Sequence, residues 1–169
     1  RTTMRIAEAM AQELAQEAKS TRTLLERLPD GQFGWKPHEK SMTMGHLASH
    51  IGESLGWAKS IIETDELSFN VAEYKPVIAA NVEEALKLFD EQLTQALGAL
   101  DGVSDDHMMA NWKMVMDGQT VFDMPRVAVV RGMILNHLYH HRGQLTVYAR
   151  MHDVPLPAIY GPSADEQQM

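Results

Sequence analysis

The stretch ILNHLYHHRGQL, residues 134–145, sets His137, His140 and His141 within two turns of one expected helix. Imidazoles so spaced could share a metal ion, titrate near neutral pH, or fill space in a core. Their direction decides. A helix advances about 100° per residue; with Ile134 as origin, Val127, Val130, Leu138, Leu145 and Tyr148 fall within about 40°. His141 lies about 20° from that origin, His137 about 60° and His140 about 120°. His137 and His141 therefore face the interior as an i, i+4 pair able to share one ion, and His140 sits on a flank.

A pair is not a site, because zinc or nickel wants at least a third protein ligand. GHLASHIGES, residues 45–54, offers His46 and His50, again at i, i+4. Both lie off the apolar stripe of their helix, His50 by about 80° and His46 by about 120°. His50 is the nearer, and Trp57 extends the apolar face toward it. His50, His137 and His141 are thus the expected ligands. Three imidazoles suit zinc, nickel, copper and iron alike. Other chemistries find no footing. No Glu stands three residues before a His, as di-iron carboxylate bundles require. The chain has no Gly-x-Ser-x-Gly, no P-loop and no His-Glu-x-x-His.

The chain of 169 residues is expected to form a single domain over 1–169, long enough to bury a core. It has no cysteine, which removes disulfides, thiolate nucleophiles and cysteine-type zinc sites and fits the cytoplasm. RTTMRIAEAM at the start shows no signal-peptide core, and no apolar run approaches the length of a bilayer span. The net charge is −8 with Lys and Arg thinly spread. Nucleic-acid and membrane partners are therefore not expected.

Four helices must position the histidines. The first is predicted from about Met4 to Leu28, ended by PDG; the second from Thr43 to about Glu63. The third follows an Asn81 N-cap, with Glu84 completing a capping box, and runs to about Leu100 on a stripe of Leu86, Phe89, Leu93, Leu97 and Leu100. The fourth starts from an Asp123 cap, with Pro125 in its first turn, and continues to about Met151. Between them KMVMDGQTVF reads as a short hairpin turning at Asp117-Gly118. The connection 64–80 shows little periodicity, and the tail VPLPAIYGPSADEQQM is not helical. The fold class is all-α: a four-helix bundle with long connections and a small hairpin before helix four.

WKPHEKSMTMGHLASHI (35–51), VVRGMILNHLYHHRGQLTVYAR (129–150) and VPLPAIYGPSADE (154–166) together resemble the DinB family over essentially the whole chain. The resemblance implies a DinB-type four-helix bundle and a single divalent metal, often nickel or zinc, on His50, His137 and His141. It also implies a homodimer. Some relatives are thiol-dependent transferases and one branch is an isomerase, so a low-molecular-weight thiol cosubstrate and a small-molecule substrate are expected. A transferase or a hydrolase is one reading. A non-catalytic protein in which the ion ties helix two to helix four, with His46 or Glu53 as fourth ligand, is the other.

Weaker site candidates surround the ligands. Glu53, one turn past His50, could accept a proton or be a solvated helix residue. Tyr148 could line a pocket or pack in the core. Arg142 could recognise an anionic substrate or make a surface ion pair, and Gln144 also flanks the ligands. Tyr160 with GPSADE could close over a pocket mouth or belong to a disordered tail, and the resemblance favours order there. His46 and His140 are expected not to ligate, and His38, His107 and His152 carry no assigned chemistry.

Overall fold

The computed structural model describes residues 3–167, so the last two residues of the expected non-helical tail and the first two of the chain lie outside it. Helix α1 spans Ile6–Glu26, α2 Met44–Leu55, α3 Trp57–Glu63 and α4 Val82–Leu100. A strand β1, Glu66–Phe69, precedes α4, and a short α5, Asp105–Met109, leads into β2, Asn111–Met116, and β3, Gln119–Pro125. The last helical arm is α6, Arg126–Val130, a π-helical turn over Arg131–Asn136, and α7, His137–Arg150. In the bundle α4 packs against α1, α2 and α3, and α2 also packs against α7. Among the described residues no helix is long and apolar enough to cross a membrane.

Side-chain caps set the starts of α2 and α4. Thr43 accepts from the His46 backbone N–H and starts α2; Asn81 accepts from that of Glu84 and starts α4. Glu84 returns the favour to Ala80 N–H at 2.8 Å, one residue earlier than the usual capping box. The expected Asp123 cap is not used. Asp123 lies in β3, paired opposite Lys113, and the helix begins after Pro125.

The fold is mostly helical but not purely all-α. The hairpin turns where expected, with Asp117 at φ 49° and Gly118 at φ 76°, the left-handed pair of a tight turn. Beside it β1 pairs in parallel with β2, Glu66 opposite Lys113 through Phe69 opposite Met116, giving a three-stranded sheet in the order β1-β2-β3. Parallel pairing needs a long crossover, here supplied by α4 and α5.

The second expected helix is two helices, broken at Gly56. A Cβ there would meet Gln92 Oε1 of α4 at 1.9 Å, and one at Gly52 would lie 3.1 Å from Phe89 Cα. Gly52 lets α2 approach the backbone of α4, while Gly56 leaves room for the Gln92 side chain. The buried line of α4 is Ala85, Phe89, Ala96 and Leu100, with the expected Leu86, Leu93 and Leu97 only partly covered. Below α3, Arg126 is 1 % exposed. Its guanidinium donates to the carbonyls of Ile61, Thr64, Ala110 and Asn111 and to the Asp65 carboxylate. It closes the end of α3 and ties it to β2.

Candidate metal centre

His50 comes from the middle of α2, His137 from the first position of α7, and His141 from one turn further on. The π-helical turn directly before His137 takes in an extra residue relative to an α-helix, resetting the phase between the core residues of α6 and the histidines. The outcome is convergence. His137 Nε2 lies 3.0 Å from His141 Nε2 and 3.3 Å from His50 Nε2. One ligand nitrogen from each of the three falls within 4.8 Å of the others.

Hydrogen bonding accounts poorly for this cluster. His141 Nδ1 donates to Gln144 Oε1 at 2.7 Å, which places its lone pair on Nε2, toward the cluster. His137 Nε2 faces two imidazole nitrogens and has at most one proton to give, while its buried Nδ1 has no partner. A cation accounts for it better. Nitrogens about 2.0–2.1 Å from one ion, at angles of about 90–110°, lie about 2.8–3.4 Å apart, which brackets both observed contacts. The three residues fit such an ion and could hold it.

The electrostatics favour the neutral, ligating form. Burial, and repulsion from His141 and His46, push His50 down to about 4. Burial, with repulsion from His141, His50 and His140, pushes His137 down to about 4. His141 is lowered by burial, opposed by its bond to Gln144. Free lone pairs at neutral pH follow.

On one side the cluster meets a cavity of about 570 Å³ that reaches His50. Its wall is Trp57 from α3, Leu67 and Phe69 from β1, Met114 and Met116 from β2, and Met133 from the π-helical turn. The Trp57 ring centre is 5.4 Å from that of His137 and 5.9 Å from that of His50. At the rim stand Val71, Glu73 and Tyr74, and the Tyr74 hydroxyl donates to Glu53 Oε2 at 2.8 Å. Burial and that bond raise the Tyr74 hydroxyl to about 12, so it stays a donor.

The chain matches the model described as "DinB family" over residues 2–169. It belongs to the DinB family. Among curated proteins this DinB-family chain is 25% identical over 150 residues to the uncharacterized protein YrdA of Bacillus subtilis (strain 168), covering 89% of this chain and 85% of that one. Its fold is similar to the crystal structure of a DinB-like protein from Bacillus cereus ATCC 10987, with a TM-score of 0.71, 22% identity, and 90% and 97% of the two chains covered. A DinB-like protein (YjoA) from Bacillus subtilis gives a TM-score of 0.69 at 18% identity, covering 95% and 99%.

The remaining sequence candidates separate clearly. Tyr148 is core: its hydroxyl donates to Met42 O at 3.0 Å and its ring packs edge-on to Trp35. Arg142 is neither a substrate ligand nor a surface pair. Only 2 % exposed, it turns away from the cavity to α1, bonding Glu17, Ser20 and Thr21, and to the Tyr160 hydroxyl. Tyr160 is accordingly part of an ordered tail, which is fastened by Arg27–Glu166 and Arg150–Asp165 ion pairs and crosses α1 and α7 rather than the cavity. Glu53 is tied to the rim, as above. His46 lies with its ring 6.5 Å from that of His50, and His140 is exposed beside His141. His38 accepts from the Lys40 N–H, His107 bonds Ile62 O, and His152 packs on Trp35. Sequence reasoning passed over Trp57 as a metal-site wall, and over Tyr74 altogether. Only the i, i+3 spacing of Gln144 from His141 could have signalled its orienting role.

Proposed function

We propose that His50, His137 and His141 hold one divalent transition-metal ion, zinc or nickel, and that the protein is a metal-dependent enzyme acting on a small molecule. Thiol transfer from a low-molecular-weight thiol, or hydrolysis, is the reaction class. The reading is carried by the convergence of three ligand nitrogens beside a cavity, with no fourth carboxylate or imidazole in their cluster among the described residues. Catalytic sites of this kind keep such a position open.

When bound, the ion supplies Lewis acidity, by which water or a thiol gives up its proton near neutral pH. The chain's own residues do the rest. Gln144 holds the His141 ring in its ligating tautomer. Trp57, Phe69 and the methionines exclude water from the substrate side. Glu53 is the carboxylate one turn from His50, and through Tyr74 it is the candidate proton acceptor at the rim. Tyr148 and Arg142 have no part in the chemistry.

A purely structural ion needs a closed shell, for which His46 or Glu53 was the expected fourth ligand. Neither belongs to the three-histidine cluster, and Glu53 already accepts from Tyr74. The same proposal takes the protein as a cytoplasmic homodimer without nucleic-acid or membrane partners, to be checked by sedimentation and cell fractionation.

The deciding experiment is elemental analysis of the purified protein beside His50→Ala and His141→Ala variants, followed by thiol-transfer and hydrolysis assays. One equivalent of metal in the parent, lost in both variants along with turnover, is the expected result. A parent that neither contains nor takes up zinc or nickel overturns the proposal. A folded, metal-loaded parent in which no assayed thiol or ester turns over returns the structural ion to first place.

A further inference from the structure

The cavity beside His50 has a chemical character of its own. Its volume of about 570 Å³ falls in the range of small-molecule sites. Three aromatic rings line it, those of Trp57, Phe69 and Tyr74, together with Met114, Met116 and Met133. Thioether side chains give such a wall adaptability toward different apolar shapes. No Lys or Arg belongs to the lining. The formally charged side chain that does is Glu73, on the short helical turn Val71–Glu73, and next to it Tyr74 is bonded to the second carboxylate, Glu53. With no ion bound, an anionic ligand would meet the Glu73 carboxylate, with that of Glu53 behind Tyr74, and no cationic side chain in the lining. A cation would meet those carboxylates and the π-faces of the aromatic rings.

We propose that this cavity takes a small molecule with an apolar, ring-sized body and an ammonium group. The body lies against Trp57, Phe69 and the methionines, and the ammonium sits at the rim between Glu73 and the Tyr74–Glu53 pair. The assignment rests on the cavity being the substrate side of the proposed metal centre, but the charge preference belongs to the cavity and does not need the ion. It names the substrate class as an aryl or alkyl amine, and the lining by itself disfavours an anionic body.

The test is calorimetric titration of the full chain with a matched series, phenethylamine, phenethyl alcohol and phenylacetate. Each is titrated into metal-stripped and zinc-loaded protein whose zinc content is measured in the same samples. In the stripped protein phenethylamine binds about twofold to fivefold more tightly than the alcohol, the range for a partly exposed ion pair, and phenylacetate binds most weakly. Glu73→Gln removes most of the amine's advantage and leaves the alcohol unchanged. Val71→Trp, a change at an exposed rim position, weakens all three by filling the mouth. Phenylacetate binding as tightly as the amine to stripped protein, an amine preference untouched by Glu73→Gln, or no binding of any member overturns the proposal. The two readings fail separately: an amine preference without zinc uptake sinks the metal centre alone, and zinc uptake without an amine preference sinks the amine site alone.

Discussion

His141 and Arg142 are neighbours on α7, and both side chains are buried, yet their polar atoms are handled in opposite ways. The Arg142 guanidinium is surrounded by acceptors: the Glu17 carbonyl and carboxylate, two hydroxyls of α1, and Tyr160. His141 instead aims one nitrogen at another nitrogen of the same kind, 3.0 Å away on His137. Buried polar groups that find complementary partners hold a fold together. Buried groups gathered like against like are held there by the fold, and a cation could complete them. Two adjacent residues, phased about 100° apart, thus face a polar network on one side of the helix and the proposed metal centre on the other.

Substitutions can break that contrast. The largest effect expected is on metal: His141→Ala loses its equivalent of zinc or nickel by elemental analysis, while the metal-free variant keeps its stability within about 1 kcal/mol. Arg142→Met should do the reverse. It leaves Glu17, whose side chain is 14% exposed, without its cation, and costs about 3 kcal/mol in urea unfolding with zinc stoichiometry unchanged. A His141 variant that unfolds, or an Arg142 variant that loses metal, would erase the distinction.

A smaller effect sharpens it. Gln144→Ala removes the acceptor that fixes the His141 tautomer and should weaken zinc binding about tenfold in a competition titration, with no change in urea midpoint. An effect of another kind is on pH. His50 and His137 are pushed down to about 4 from an ordinary 6.5, so below 6.5 the unfolded chain binds more protons than the folded one. Stability of the metal-stripped protein should therefore be level above that pH and fall as pH drops from 6.5 through about 4. The urea midpoint at about pH 7 and about pH 5 checks this, and His50→Ala should flatten the slope.

Much of this arrangement is legible in the sequence. The three histidines were singled out by helical phase, and the structure brings the same three together. The Asp117-Gly118 turn and the Thr43 and Asn81 starts are local, written into a few consecutive residues, and so could be read. What could not be read depends on distant partners. ELSF of β1 is too short for a period to register, and it becomes a strand by pairing with β2 more than forty residues on. Arg142 looks like a surface residue because its acceptors lie on α1, over 120 residues away. Gly52 has to lack a Cβ because the Phe89 backbone of α4 would lie 3.1 Å from it, a contact between distant segments. The cavity had no sequence signal, since five separate segments build it.

The position of Trp57 carries a practical consequence. An indole whose centre is 5.4 Å from one proposed ligand ring and 5.9 Å from another lies close enough to exchange excited-state energy or an electron with an open-shell ion. Zinc has a filled d shell and would leave its emission bright; nickel or copper would darken it. The protein therefore carries a lamp beside its own socket, and Trp57→Phe would leave a titration with nickel nearly silent against the light of Trp35 and Trp112. Occupancy, and the kind of occupant, could be followed in solution without adding a dye.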